Sequence, residues 1–442
     1  MTLDDTIFAL SSARGRAGVC VFRISGPQAQ ASIKALTGKP APSPRKAVLR
    51  NVFHRDGSLI DTGLLLWFPA PASFTGEAVL ELHLHGGPAI IEAMSHRLAG
   101  LQGLRPAEPG EFTRRAFANG KLDLTEAEGL ADLIAAETDQ QRRLAIRQLQ
   151  GGLKELYDGW RTGLIKAQAW LEATIDFSDE DIPAGLGSDV LARVTSLSDA
   201  IAAHLGDARR GLIVRDGFTI VILGAPNVGK SSLLNALARR DAAIVSETPG
   251  TTRDPIEVNL DLGGYAVTLI DTAGLRDTTD VVETEGIRRA RAKALAADLR
   301  LGVIESADNA PDSRVSLELS AHDLVLINKC DLLPARHPPA LYVSAKTGEG
   351  IEDLLAWLEQ QVIARVGGSE TMPMTRLRHR HALEEAHQAL RRAVTAFKSE
   401  TWHADLIAED IRLAARALGR ITGRVDVEDL LDVIFHDFCI GK

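Results

Sequence analysis

A polyphosphate needs backbone N–H donors, a mobile cation and a hydroxyl for its metal, and Gly224-Ala225-Pro226-Asn227-Val228-Gly229-Lys230-Ser231-Ser232 supplies all three. The stretch fits G-x-x-x-x-G-K-[ST]. Its glycines let N–H groups close around phosphate oxygens, Lys230 reaches the terminal phosphates, and the Ser231 hydroxyl is placed for Mg2+. Apolar Phe218 to Leu223 predicts a strand leading in, and Leu233 to Ala238 predicts a helix leading out. Strand, phosphate loop and helix are in register.

Three later segments narrow the ligand to a guanine nucleotide. Asp271-Thr272-Ala273-Gly274 follows the strand pattern Ala266 to Ile270, so Asp271 ends a strand. There its carboxylate can hold a Mg2+ shell while the Gly274 N–H meets a γ-phosphate. Asn328-Lys329-Cys330-Asp331 follows Leu324 to Ile327. Asp331 can accept from both N1–H and the 2-amino group of guanine, a donor pair that adenine lacks. Ser344-Ala345-Lys346, after Leu341 to Val343, offers a backbone N–H to guanine O6. Gly250-Thr251-Thr252-Arg253-Asp254 resembles the mobile segment of other GTPases, which assigns Thr252 as a second Mg2+ ligand.

Small Ras-like GTPases place a Gln after D-x-x-G to orient the attacking water. Leu275 stands there instead and cannot hydrogen-bond, so another group must position the water; Asp277, Asp280, Glu283 and Glu285 are the nearby acids. The Asn227 side-chain oxygen is suited to a monovalent cation beside the β/γ-phosphates, doing electrostatically what an arginine finger does.

Pro226-Asn227-x-Gly229-Lys230-Ser231-Ser232-Leu233-Leu234-Asn235, Gly250 to Asp254 and Asp271-Thr272-Ala273-Gly274-Leu275-Arg276 together resemble the potassium-activated GTPases that work by dimerising their G domains. The ending Phe438-Cys439-Ile440-Gly441-Lys442 is similar to the C-[IL]-G-K terminus of the MnmE (TrmE) family of tRNA-modification GTPases, and the likeness runs along essentially the whole chain. That resemblance implies K+ held by Asn227, Ser246, Thr248 and Thr251, and Glu283 as the catalytic acid that orients water through a second water. It implies a homodimer whose N-terminal domain binds 5-formyl- or methylene-tetrahydrofolate through Arg23, Glu81 and Lys121, with Lys442 directed toward that site. Cys439 is implied as necessary for modification, as nucleophile or as structural anchor. The implied partners are MnmG (GidA), which uses FAD and NADH, and tRNA whose wobble uridine gains a 5-carboxymethylaminomethyl or aminomethyl group. Phe74-Thr75-Gly76-Glu77-Ala78 departs from the family's more usual Tyr-Thr-Gly-Glu-Asp, losing a hydroxyl and a carboxylate beside the folate pocket.

These residues must be carried by more than one core, because 442 residues exceed what a single domain buries. The expected fold is multidomain α/β. An α+β folate-binding-like domain spans 1–118, a discontinuous helical domain spans 119–213 and 368–442, and a Ras-like P-loop GTPase domain, 214–367, is inserted between its halves. Thr6 to Leu10, Gly18 to Ile24 and Ala78 to Leu84 read as strands, Ile90 to Leu101 as a helix. Leu149, Leu153, Leu156, Trp160 and Leu164 recur at helical spacing, with Arg142, Arg143 and Arg147 among the polar positions. The acidic segment Phe177 to Pro183 reads as a solvated turn between helices.

The net charge of −9 excludes a generally basic nucleic-acid binder, so RNA must meet a local patch. Arg376, Arg378, Arg380, Arg391 and Arg392 form the candidate patch or, equally, a solvated helix face. Cys20, Cys330 and Cys439 are far apart and odd in number, which fits a reducing compartment. No apolar run suits a bilayer and the acidic start is unlike a signal peptide, so a cytoplasmic protein without membrane attachment is expected. His83 and His85 share a strand face and read as structural histidines rather than metal ligands. A ribosome-assembly GTPase would share the nucleotide motifs but would need neither the front domain nor the terminal tetrad; a regulatory GTP switch without tRNA chemistry would bind GTP tightly and hydrolyse it slowly.

Overall fold

The computed structural model describes residues 5–176, 186–240, 242–243, 257–271, 297–305, 319–320, 322–333, 340–367, 372–399, 403–425, 431, 434–436, 438 and 441. The chain opens with β1 (Thr6–Leu10), β2 (Ala17–Ser25), α1 (Ala29–Thr37), β3 (Val48–Phe53), β4 (Leu59–Phe68), β5 (Val79–Gly86), α2 (Pro88–Ala99), β6 (Leu104–Pro106) and α3 (Glu111–Ala118). Helices α4 (Leu124–Ala135), α5 (Asp139–Leu149), α6 (Gly152–Asp176), α7 (Leu186–Gly206) and α8 (Ala208–Asp216) follow. After them come β7 (Phe218–Leu223), α9 (Lys230–Ala238), β8 (Glu257–Leu262), β9 (Tyr265–Asp271), β10 (Leu299–Ile304), β11 (Leu324–Ile327) and β12 (Leu341–Tyr342). The described part of the chain closes with α10 (Ile351–Val366), α11 (Leu377–Phe397) and α12 (Ala404–Thr422).

Two compact units result. The first takes Met1–Ala131, Leu149–Leu186 and Thr395–Lys442. Its sheet runs β3-β4-β5-β2-β1-β6, antiparallel except for the parallel β1–β6 pair. Alternation decides the faces: Cys20, Phe22 and Ile24 of β2 and Leu80, Leu82 and Leu84 of β5 pack with Ile33, Leu36, Met94 and Leu98 of α1 and α2. The intervening Arg23, Glu81 and His83 are left on the other face. Ile7, Ala9, Ala107 and Phe112, with Phe74, cover part of that face.

In the same unit α6 packs along α12, although a G domain separates them in sequence. Leu153, Tyr157, Leu164 and Leu171 on α6, and Ile407, Ile411, Leu418 and Ile421 on α12, recur at helical spacing and are buried. Each such side chain contributes about 1.5–3 kcal/mol as an upper bound. Arg424 clamps Asp158 with bonds of 2.9 and 2.6 Å. Gly423 ends α12 at φ 85°, where a Cβ would lie 2.7 Å from the Phe117 ring.

The second unit takes Asp132–Gln148 and Gly187–Val394. Its sheet runs β12-β11-β10-β7-β9-β8, parallel except for β8, which is antiparallel to β9. Phe218, Ile220 and Ile222 of β7 and Leu299, Leu301 and Val303 of β10 pack in one cluster with Leu233, Leu234 and Leu237 of α9 and Leu354, Leu358 and Val362 of α10; Val221 and Ile304, on the alternate positions, are buried too, which accounts for the near-continuous apolar runs. Strand order reverses at β7, so a crevice opens beyond its carboxyl end. The phosphate loop occupies that position.

Candidate active site

The loop after β7 is shaped by close approach. At Gly224, φ 152°, a Cβ would lie 2.5 Å from the Val303 carbonyl oxygen of β10; at Gly229, φ 92°, it would lie 2.3 Å from Asn328 Nδ2. Asn227 accepts the left-handed region at φ 67°, which asparagine tolerates better than most side chains. Helix α9 starts at Lys230, so its N-terminal N–H groups and partial positive charge face the loop. Lys230 is buried and its ammonium donates to the Gly224 and Ala225 carbonyls at 2.9 and 3.0 Å. Ser231 Oγ donates to Asp271 Oδ2 at 2.7 Å, across from the loop to the end of β9. A hydroxyl and a carboxylate at this separation form an all-oxygen donor set of the kind Mg2+ takes, so these residues fit the metal the motifs imply. Thr252, the other expected Mg2+ ligand, lies outside the described residues.

The base-reading end is joined to the same loop through Asn328. Asn328 is buried, donates from Nδ2 to the Val228 carbonyl at 2.8 Å, and accepts from the Ala345 N–H at 3.2 Å. One side chain therefore ties the phosphate loop to the Ser344-Ala345-Lys346 turn. Lys329, at φ 59°, donates to the Asn227 carbonyl at 2.9 Å and pairs with Glu305. The Ser344 hydroxyl bonds Asp331 and holds its carboxyl below the usual range, with Lys346 adding to the effect. The shift favours the ionised, hydrogen-bond-accepting form of Asp331. Val228 is buried just before α9, and Ser232 is exposed on its first turn. The structure brings together the members of the sequence-derived nucleotide set that it describes. Ser246, Thr248, Thr251, Thr272, Ala273, Gly274 and Glu283 lie outside the described residues, as do Asp277, Asp280 and Glu285.

A second polar site sits on the first unit's sheet. Arg23 and Glu81 are cross-strand partners on β2 and β5 and pair at 3.0 Å, both about four-fifths buried. The Arg23 guanidinium stacks 5.5 Å from the Phe74 ring and 5.7 Å from Phe112. Gly76, φ 79°, leaves room for Lys121, whose Cε would lie 3.3 Å from a Cβ there. The loop 74–77 therefore gathers Arg23, Glu81 and Lys121.

The sequence did not reveal what fixes that loop. Thr75 and Ser25 share a 2.7 Å bond, Ser25 also donates to Glu77 at 2.6 Å, and Asn119 holds the Thr75 carbonyl at 2.7 Å. Glu77 in turn pairs with Arg115, which is 1% exposed and also contacts Asp5 and the buried Glu111. The Glu111/Arg115 spacing of four on a helical pattern was the available signal. His83 approaches Glu81 at 3.6 Å and His85 meets Asp61 at 2.9 Å, so both have carboxylate neighbours.

Near the C-terminus, Phe435 and Phe438 join Leu124 and Ala127 in a small core. Ser11 Oγ donates to the Gly441 carbonyl at 2.9 Å, and Gly441, φ 102°, lies so close to Leu10 that a Cβ would be 2.4 Å from its carbonyl oxygen. Leu10 follows Ala9, the cross-strand partner of Arg23. Cys439 and Lys442 lie outside the described residues. In the proposed RNA stretch, Arg376 pairs with Asp132 at 2.7 Å and Arg380 with Glu384 at 2.8 Å, and Glu384 and Glu385 share the exposed face of α11 with Arg391 and Arg392. No described helix is long and apolar enough to cross a membrane.

A phosphate loop at a sheet's switch point, tied through the buried Asn328 to the strand end that carries Asp331, is the arrangement of a P-loop GTPase. Residues 6–121 match the family model described as GTP-binding protein TrmE N-terminus, and residues 124–439 match that of the MnmE helical domain. The chain belongs to the MnmE (TrmE) family. It is 55% identical to the tRNA modification GTPase MnmE of Paramagnetospirillum magneticum, covering 100% of both chains. Its identity to the tRNA modification GTPase MnmE of Parvibaculum lavamentivorans is 54%, covering 99% of this chain and 100% of that one; for Rhodospirillum rubrum it is 52%, with 100% of both covered.

Proposed function

We propose that this GTPase of tRNA modification hydrolyses GTP to GDP and phosphate with K+ stimulation and G-domain pairing. In the cytoplasm it acts with MnmG on the wobble uridine of tRNA, and a tetrahydrofolate supplies the one-carbon unit. The observation that carries the nucleotide half is the Ser231–Asp271 bond at the foot of a loop that Asn328 ties to the Asp331 clamp. Lys230 moves its ammonium from the Gly224 and Ala225 carbonyls to phosphate oxygens when GTP enters. Ser231 and Thr252 would hold Mg2+, with Asp271 holding its shell, and the ion would supply positive charge to the β- and γ-phosphates. Asn227 holds K+ together with Ser246, Thr248 and Thr251, and Glu283 orients the attacking water in place of the glutamine that Leu275 replaces.

For the folate half, Arg23 and Lys121 supply cations suited to a carboxylated tail and Glu81 an acceptor suited to a pterin edge, and by the family pattern Cys439 is needed for modification and Lys442 serves the same site. What supports this reading is the gathering of the first three around loop 74–77. The division into domains 1–118, 119–213 with 368–442, and 214–367 is part of the proposal.

The test is steady-state GTP turnover by the purified chain beside Asp331→Asn. An amide can donate where the carboxylate only accepts, so the variant should lose GTP and gain xanthosine triphosphate, whose 2-oxo group accepts. Unchanged preference for GTP in the variant would contradict the assignment of the base-reading site.

A further inference from the structure

In a chain of net charge −9, α5 turns Arg142, Arg143 and Arg147 toward solvent together. At about 100° per residue they lie within about 140° of one another, with Asp139 between them. Arg142 and Arg143, 52% and 64% exposed, both reach the one Asp139 carboxylate, at 2.6 Å each. Exposed pairs of this kind contribute little stability. Their effect is to hold two guanidinium groups side by side on a face that stays positive. The opposite face of α5 buries Ala145 and Gln148, so the helix is fixed to the unit and its charged side is the one left open.

The foot of α5 is hydrogen-bonded to the G domain within the same unit. Thr138 N–H donates to Gln141 Oε1 at 3.1 Å in a reciprocal helix cap, and Gln141 Nε2 donates to the Arg215 carbonyl at 2.9 Å. Gln140 N–H donates to the Gly264 carbonyl at 3.1 Å, at the turn between β8 and β9. A Cβ on Gly264 would sit 3.3 Å from Gln140 Cγ. Along β9 from that turn lies Asp271, the acceptor of Ser231.

We propose that the outer face of α5 docks the phosphate backbone of the tRNA, through Arg142, Arg143 and Arg147, next to the hairpin that ends at the metal-binding carboxylate. The inference rests on the tRNA-modification reading. Guanidinium forks match phosphate oxygens two at a time, and Asp139 competes with the RNA for the same forks. That competition gives the proposal opposite predictions for neighbouring residues.

The experiment titrates the full-length chain with an unmodified tRNA by fluorescence anisotropy between about 50 and 200 mM KCl, with GTP turnover measured on the same samples. The double variant Arg142→Ala/Arg143→Ala is expected to bind about tenfold more weakly at the low-salt end, with a salt slope flatter by about 1.5. Its RNA-free GTP turnover should match the wild type. Asp139→Asn, with helix content checked by circular dichroism, should bind a few-fold more tightly because both guanidinium groups become available. Wild-type affinity and slope in the double variant, with GTP turnover intact, overturn the docking face and leave the GTPase reading standing. Absence of GTP turnover by the wild-type chain overturns both.

Discussion

Replacing Arg115 by methionine removes a cation that is 1% exposed and keeps most of the side-chain volume. Arg115 donates to the Asp5 carbonyl at 2.8 Å, Asp5 Oδ1 at 2.7 Å, Glu77 Oε1 at 3.1 Å and Glu111 Oε1 at 2.9 Å. Breaking a buried ion pair from one side costs about 3–5 kcal/mol, because the partner charge stays buried. Glu111 keeps Arg105 at 2.6 Å and Glu77 keeps Ser25, so the lower end applies, about 3 kcal/mol. For a unit of this size the melting temperature should fall by about 6–12 °C.

The loss must depend on pH in a fixed direction. Burial pushes the Glu111 carboxyl up, but the hydrogen bonds from Arg105, the Glu108 N–H and Arg115 outweigh it and hold the group below its ordinary 4.5. Asp5 is held below 3.8 by Arg105 and Arg115 against the same burial effect. Both folded-state values are depressed, so the stabilisation is complete above the ordinary carboxylate range and is lost as pH falls through the folded-state values. Differential scanning calorimetry of both proteins from neutral to strongly acidic pH should therefore show the gap narrowing toward acid. A gap under about 2 °C at neutral pH, or one that does not change with pH, would refute the reasoning. Binding of a tetrahydrofolate analogue should weaken in parallel, since Glu77 anchors the loop beneath Arg23.

Gly229→Ala would push a methyl group into Asn328 Nδ2 and break the tie to Val228 and Ala345; a buried amide left unpaired costs about 2 kcal/mol, or about thirtyfold in GTP affinity by nucleotide titration. Wild-type affinity would show that the clasp does not matter. His204 is buried, and desolvation, with the nearby charges of His379 and Arg210, lowers its pKa from 6.5 to about 4. It must stay neutral in the folded state, so the chain should lose up to about 3 kcal/mol as pH falls from about 6.5 to about 4. His204→Gln should flatten that part of a denaturant-unfolding series, and an unaltered pH dependence would exclude the histidine as its source.

The nucleotide site was legible because its residues lie in short motifs at strand ends. Predicted strands Phe218 to Leu223 and Leu324 to Ile327 coincide with β7 and β11, and their carboxyl ends place Gly224 and Asn328 at the same edge of the sheet, on either side of β10. What the motifs did not show was the bond between Asn328 and Val228, which depends on the register of β10 between two parallel strands. In the N-terminal domain, strong alternation marked β1, β2 and β5, whereas the edge strand β3 and the short β6 carry too few alternating residues to stand out. Amphipathic faces on α6 and α12 announced burial without naming the partner, since their contacts span more than 200 residues. The Arg115 network joins residues from four separate segments, and no local pattern reports such a closure. The basic stretch at 376–392 looked concentrated in sequence, but helix geometry and Asp132 divide it.

Cation-assisted hydrolysis can be read from GTP turnover of the purified chain in KCl against NaCl, beside Asn227→Ala. K+ should stimulate turnover strongly, and the variant should lose that stimulation while still binding GTP. Equal, slow turnover in both salts would contradict cation-assisted hydrolysis by paired G domains.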